Sequence, residues 1–167
     1  MSGANEELPL DPDLEAAEST TGAPRPIHLR PGALLLVFVG GTLGTAAREA
    51  LSLAFSPLDG VPYAIFAINI VGALMLGVLL ESLARRGPDR GRRQRLRLLL
   101  GTGVMGGFTT YSALATDTAQ LIGAGGIGAG LAYGLGTVLV GAIATGAGIA
   151  LASAAHRGVG RTAGGTR

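Results

Sequence analysis

The chain has 167 residues, of which 48% are apolar and 14% are charged, and its formal net charge is +2. A mean hydropathy of +0.47 is too high for a water-soluble domain of this size and indicates a small membrane protein. Cysteine is absent, which excludes disulfides and thiolate metal sites, and the two histidines, His28 and His156, lie in flanking polar segments. We therefore expect a membrane protein and not an enzyme.

The N-terminal segment, residues 1–31, is acidic and rich in proline, glycine, serine and threonine. It has no basic stretch followed by an apolar core, so it does not resemble a secretory signal peptide. Its composition predicts a disordered acidic tail. The acids of this tail are Glu6, Glu7, Asp11, Asp13, Glu15 and Glu18.

Four stretches are apolar and long enough to cross a hydrocarbon core of about 30 Å as helices. They cover approximately residues 32–54, 62–84, 97–122 and 126–153. The connections between them are short, so each helix is expected to pack antiparallel to its neighbour. The fold class predicted is an all-α membrane protein with one four-helix domain, 32–154, and a basic C-terminal tail, 155–167.

Arginine supplies all thirteen basic residues, and seven of them lie between Arg85 and Arg97, whereas the two other connections have none. The positive-inside rule then predicts a multi-pass protein of the cell membrane with both termini and this loop in the cytoplasm. The loop is interpreted as a topology signal that also contacts anionic membrane lipid. Nucleic-acid binding is not expected, because no aromatic residues are interleaved with the arginines.

Polar residues inside the spans are candidates for function, since each is costly in lipid. Asn69 is in the middle of the second span, where an interhelical hydrogen bond is the simpler interpretation. Tyr133 and Thr137 are four residues apart and offer hydroxyl groups on one helix face. Arg48 is either a snorkelling residue paired with Glu49 or a charge that attracts anions to a pore mouth.

The third span contains an unusual polar stretch, MGGFTTYSALA, at residues 105–115. Gly106 and Gly107 each raise the cost of a helix by about 1 kcal/mol, and the hydroxyl residues that follow can bond the freed backbone. A broken helix is predicted, with a flexible kink as the alternative. Freed carbonyls at membrane depth can bind a cation, while N–H and hydroxyl groups suit an anion.

Three motifs in order resemble those of the Fluc (CrcB) family of fluoride channels over about residues 33–153. Residues 40–48, GGTLGTAAR, are similar to the family's GGxxGxxxR in the first helix. Residues 69–77 are similar to its NxxGxxxxG, and residues 106–112, GGFTTYS, to its GGxTTFS helix break. Each motif alone is only suggestive, but the three in the right spans are specific.

The resemblance implies a subunit of an antiparallel, dual-topology-type dimer that lets fluoride leave the cytoplasm passively. It also implies a structural sodium ion, not transported, that is bound by the backbone carbonyls of Gly106 and Thr109. Arg48 would act at the vestibule or support the break. The residues implied along the fluoride path are Asn69, Tyr111, Ser112, Tyr133 and Thr137.

Two positions depart from the family pattern. The first phenylalanine of the family's aromatic box is Tyr111 here, and the second, three residues later, is Leu114. A leucine has no ring edge to offer an anion. Together with the one-sided arginine bias, this predicts a heterodimer with an oppositely oriented, related subunit that supplies the missing ring.

Two other interpretations remain open from the residues alone. A small four-helix multidrug or metabolite exporter needs an acid at the membrane midplane, and no span has one there. A non-conducting membrane scaffold is the other alternative.

Overall fold

The computed structural model describes residues 30–55, 57–58 and 60–163, with side chains as far as Arg157. The first 29 residues of the predicted acidic tail lie outside these ranges, so its prediction as disordered is not addressed. The helices are α1 (Pro31–Ala54), α2 (Tyr63–Ala84), α3 (92–108), α4 (Tyr111–Gly123) and α5 (Ile127–Ala163).

The prediction of an all-helical chain with four membrane spans is confirmed at the level of helix length and composition. The candidate spans are Pro31–Ala54, Tyr63–Ala84, Arg92–Gly123 and Ile127–Arg157. The third span combines α3 and α4 and is bent between them. The protein is therefore a multi-pass membrane protein.

Two helices extend beyond the predicted span limits. The third span begins at Arg92, within the arginine loop, and α5 continues to Ala163, so the predicted start of the basic tail falls inside a helix. The residues after the fourth apolar stretch begin with Ala154 and Ala155, which are strong helix formers, and include no proline that would end the helix. Hydropathy indicates which part of a helix crosses the membrane and not where the helix ends.

The helix α3 changes its winding along its length. It begins as an ordinary α-helix at Arg92–Leu96, takes the wider π-helical form over Arg97–Met105, and returns to α-helix at Gly106–Phe108. Wider turns of this kind are rare and often lie near functional sites. The π-helical turns lie directly before the bend between α3 and α4.

Glycines let α1 approach α3 closely. A Cβ atom added at Gly40 would overlap the carbonyl oxygen of Leu99, and one at Gly44 would overlap that of Val104. Both glycines are buried. The first sequence motif is thus the surface on which α3 rests.

The helices α2 and α5 pack against each other in the same way. A Cβ atom at Gly77 would overlap the carbonyl oxygen of Thr145, and one at Gly148 would overlap that of Leu74. The helix α4 packs on α5 as well. The bend in the third span is therefore enclosed by α1 on one side and by α2 and α5 on the other.

Candidate functional site

The bend in the third span is a two-residue interruption of the helix. Thr109 (φ −78°, ψ 157°) and Thr110 (φ −149°, ψ 121°) are both extended. The side-chain amide of Asn69 on α2 bonds both backbone polar groups of Thr110. Thr110 N–H donates to Asn69 Oδ1 at 2.8 Å, and Asn69 Nδ2 donates to Thr110 O at 3.1 Å. The Asn69 side chain thus replaces the helical acceptor that Thr110 N–H has lost and adds a donor to Thr110 O, which as the N-cap carbonyl also accepts the first bond of α4.

Both ends of the interruption are capped by hydroxyl groups. The Oγ1 of Thr110 accepts from Ala113 N–H at 3.2 Å and so caps the start of α4. It also lies 3.2 Å from the hydroxyl oxygen of Ser112. On the other side, the N–H and the hydroxyl of Thr109 each donate to Met105 O at 2.9 Å. The predicted break is a defined and hydrogen-bonded structure.

The interruption diverts the helical donors of two carbonyl groups. In a continuous helix, Thr110 N–H donates to Gly106 O and Ala113 N–H donates to Thr109 O. Here the first donates to Asn69 and the second to the Thr110 hydroxyl. The two carbonyls that the family resemblance assigns to a sodium ion are thus among those at the break that lack their usual helical donors.

The donor chemistry of these carbonyls suits a hard monovalent cation, because unwound backbone carbonyls bind sodium in membrane proteins. Gly106 is exposed, and a Cβ atom added there would have no neighbour within 4 Å. Within the described ranges, no group of three or more histidine, cysteine or acidic residues could hold a metal ion. The carbonyl oxygens of the break are thus donors of the kind that a sodium ion takes.

A cavity of about 240 Å³ lies beside the break, between α2, α4 and α5. Asn69, Tyr111 and Thr137 line it, so the structure brings together three of the five predicted path residues. Leu114, the residue that departs from the family pattern, lines it too. Tyr111 is 80% exposed, whereas Thr137 is only 3% exposed, so the cavity opens on the side of Tyr111.

The two other predicted path residues do not line this cavity. Tyr133 is 7% exposed, and its hydroxyl oxygen lies 3.3 Å from both Pro62 O and Asp117 Oδ2, near the beginning of α2. Ser112 reaches the break only through the hydroxyl of Thr110. Thr137 donates its own hydroxyl to Tyr133 O at 2.6 Å. The predicted polar track is therefore not one continuous row within a single chain.

Arg48 lies outside the cavity and is only partly exposed. The ion pairs within the described residues are Arg85–Glu81 and Arg97–Asp89, so the pairing of Arg48 with its neighbour Glu49 is not formed. The Nε of Arg48 is buried and has no hydrogen-bond partner within the same part of the chain. A buried donor of this kind normally has an acceptor.

Sequence reasoning missed two residues of the site. Thr110 supplies the backbone that Asn69 binds and the hydroxyl that caps α4, and its place before a helical run was the available signal. Gly72 leaves room for the break, because a Cβ atom there would overlap the Cγ2 of Thr109. Its spacing of three residues from Asn69 puts both on one face of α2.

Comparison with known proteins gives the same answer as the motifs. The model of the family described as CrcB-like protein, Camphor Resistance (CrcB), matches residues 35–149. A fluoride-specific ion channel, FluC 2, of Leifsonia xyli subsp. xyli is 55% identical over 136 residues, which cover 80% of this chain and 94% of the relative. The chain belongs to the CrcB/FluC family of fluoride-specific ion channels.

Two further relatives extend the CrcB/FluC comparison. FluC 1 of Cutibacterium acnes is 50% identical over 115 residues, covering 68% of this chain and 80% of that protein. FluC 2 of Nitrobacter hamburgensis is 40% identical over 119 residues, covering 70% and 94%. The three motifs lie inside the matched region, so the resemblance seen in the sequence is confirmed. The family is one of ion channels and not of enzymes.

Proposed function

We propose that this chain is a subunit of a fluoride-specific channel that lets cytoplasmic fluoride leave the cell passively and so lowers its toxicity. The observation that carries the proposal is the break at Thr109 and Thr110, bound by Asn69, in a chain of the CrcB/FluC family. The break puts backbone and hydroxyl groups beside a cavity at membrane depth, where an ordinary helix offers none.

Fluoride is small, strongly hydrated and a strong hydrogen-bond acceptor, so a selective path must replace its water with donors. The cavity beside the break offers the amide of Asn69 and the ring of Tyr111, and it is also lined by Thr137, whose hydroxyl donates to Tyr133 O within the single chain. Ring edges carry positive partial charge and suit an anion. Ser112 and Tyr133 extend the path beyond the cavity in this proposal.

The two hydrogen bonds of Asn69 support its role on this path. They fix which end of the amide is nitrogen, since Thr110 N–H requires an acceptor and Thr110 O requires a donor. Nδ2 has two hydrogens, and only one donates to Thr110. The second is the donor that we assign to a fluoride ion in the cavity.

The structural sodium ion in this proposal is bound by the carbonyl oxygens of Gly106 and Thr109. Two carbonyls do not complete a coordination shell, and the exposed position of Gly106 leaves space for the same groups of a second subunit. The ion would supply a fixed positive charge between the break of this chain and that of the second subunit. It would not move with fluoride.

A dimer accounts for polar groups on an open surface of the spans. Tyr111, Ser112 and Thr45 are exposed at membrane depth; Ser112 and Thr45 bond Thr110 and Gly107 O of their own chain, whereas the Tyr111 hydroxyl has no partner among the described residues. We assign this surface to the second subunit, with Arg48 at the vestibule or supporting the break.

The second subunit in this proposal has the opposite orientation. The arginine loop and both flanks bias this chain toward cytoplasmic termini, so a second copy of it would insert the same way. A related chain with the reversed bias would complete an antiparallel dimer. It would also offer an aromatic ring where this chain has Leu114, which lines the cavity.

The deciding experiment is fluoride efflux from liposomes, measured with a fluoride electrode. We expect little efflux from this chain alone and robust efflux when it is purified together with the partner subunit. Robust efflux from this chain alone would refute the heterodimer and leave the channel. No efflux from either preparation, with no rescue of a fluoride-sensitive strain, would refute the channel.

The role of Asn69 is tested by Asn69→Asp. The aspartate keeps an acceptor for Thr110 N–H but replaces the donor to fluoride with a negative charge, so efflux should fall below detection while the fold survives. Thr116→Val is the matched control, because Thr116 is exposed on α4 and takes no part in the break. Undiminished efflux through the aspartate variant would remove Asn69 from the path.

The orientation is tested by reporter fusions to the C-terminus. We expect signal only from the reporter that is active in the cytoplasm. Equal signal from a periplasmic reporter would indicate insertion in both directions, and the heterodimer would then lose its topological argument.

A further inference from the structure

A second polar cavity, of about 680 Å³, lies between α2 and α5 at the end of the spans that leads into the arginine loop. It is far along the chain from the break and shares none of the residues that line the cavity beside it. Its inner wall is apolar, from Val78, Leu151 and Ala152, and its outer end is polar, from Ser82, Arg86 and His156.

The polar end is best understood from the neighbouring residues of α2. Arg85 Nε donates to Glu81 Oε1 at 2.5 Å, four residues earlier. Ser153 on α5 closes this group, accepting from Arg85 Nη2 and donating to Glu81 Oε1, each at 2.9 Å. The charge of Arg85 is thus balanced inside the protein.

One residue further along the chain, the corresponding pair of positions has no acid. Arg86 follows Ser82 by four residues, as Arg85 follows Glu81, but a serine now stands where the carboxylate would be. Arg86 has no ion-pair partner within the described residues. Arg86 therefore lines the cavity, and none of the described carboxylates balances its charge.

The rest of the loop cannot supply that anion. Its single acid, Asp89, is bound by Arg97 Nε at 2.6 Å. Arg93 donates to Pro88 O at 3.0 Å and to the carbonyl of Arg86, which ties the loop backbone beside the cavity. Among the described residues, the polar end of the cavity thus keeps a positive charge that no carboxylate compensates.

We propose that this cavity binds the phosphate of an anionic phospholipid. The phosphodiester would accept hydrogen bonds from Arg86, Ser82 and His156, and the acyl chain would lie along the apolar inner wall. Charge-assisted bonds from arginine to phosphate are among the strongest that a side chain makes. The apolar wall favours a lipid over free phosphate, because a small anion would leave that wall in contact with water. The proposal is independent of fluoride conduction.

The test is native mass spectrometry of the full chain in detergent, titrated with phosphatidylglycerol or with phosphatidylcholine. We expect one tightly bound phosphatidylglycerol per chain and much weaker binding of phosphatidylcholine. Arg86→Gln should weaken phosphatidylglycerol binding about tenfold, the effect of losing one charge-assisted bond. Arg90→Gln removes the same charge from the same loop outside the cavity and should leave the affinity close to wild type.

A second variant uses the neighbouring pair as its pattern. Ser82→Glu places a carboxylate four residues before Arg86, so the protein itself should occupy the site and exclude the lipid phosphate. Gln94→Glu adds the same charge elsewhere in the loop and is the control. Size-exclusion profiles in phosphatidylcholine verify that each variant is folded.

Three outcomes would overturn the proposal. Equal losses for Arg86→Gln and Arg90→Gln would mean that the loop attracts lipid only through its overall charge. Unchanged binding in Ser82→Glu would place the lipid elsewhere. Competition by soluble glycerol phosphate as strong as that by the lipid would identify a site for free phosphate.

Discussion

Two hydrogen-bond clusters hold the second span to its neighbours, and they use opposite chemistry. The break cluster, Asn69 with Thr109 and Thr110, is neutral and bonds backbone groups at membrane depth. The end cluster, Glu81 with Arg85 and Ser153, is charged and bonds side chains at the end of the spans. Charge is costly where water is absent, so the deep cluster relies on amide and hydroxyl groups.

The largest loss of stability is expected from Asn69→Leu in the break cluster. The substitution leaves the N–H of Thr110 without a partner, which costs about 1–3 kcal/mol, and the lost bond to Thr110 O adds about 1 kcal/mol. Thermal unfolding in detergent, followed by circular dichroism, should show the lowest midpoint of any variant here. A midpoint equal to that of Thr116→Val would mean that the break does not depend on Asn69.

A smaller loss is expected from Gly72→Ala. The added methyl group would overlap the Cγ2 of Thr109 and push the break away from α2, at about 1–3 kcal/mol for overpacking. Gly146→Ala is the matched control, because a Cβ atom there meets nothing within 4 Å. The same unfolding assay should separate the two, and equal midpoints would contradict close packing at Gly72.

Thr110→Val tests the cap of α4 with the shape of the side chain almost unchanged. The loss of the bond from Ala113 N–H should cost about 1 kcal/mol. Thr116→Val again serves as the control, since it removes a hydroxyl from the exposed side of the same helix. If both valine variants unfold at one temperature, the hydroxyl of Thr110 contributes nothing to the break.

The smallest effect is expected from Ser153→Ala in the end cluster. Its partners, Glu81 and Arg85, are partly exposed, so the loss should stay below about 1 kcal/mol. Repeating the measurement at about 1 M salt, where the Debye length is about 3 Å, should reduce it further. The Asn69→Leu loss should not change with salt. Equal salt dependence of the two variants would contradict the distinction between a charged end cluster and a neutral break cluster.

Much of the site was visible in the sequence because its local signals are strong. Paired glycines followed by hydroxyl residues in an apolar span predicted the interruption. The glycines themselves are helical, however, and the break falls after them, at Thr109 and Thr110. Tyr133 was less predictable. Its spacing from Thr137 placed both on one face, but its hydroxyl lies near Pro62, just before α2, and near Asp117 on α4.

The residue order by itself determined the four spans, the arginine loop and the position of the break, because hydropathy, charge and helix propensity act within one segment. Only the tertiary structure decided which groups satisfy the break. Asn69 and Thr110 are 41 positions apart, and their bonds depend on how closely α2 approaches the third span. The same holds for Arg86. In the sequence it is one of seven arginines in the loop, and only the packing of α5 against the end of α2 places it at a cavity where it can bind a ligand.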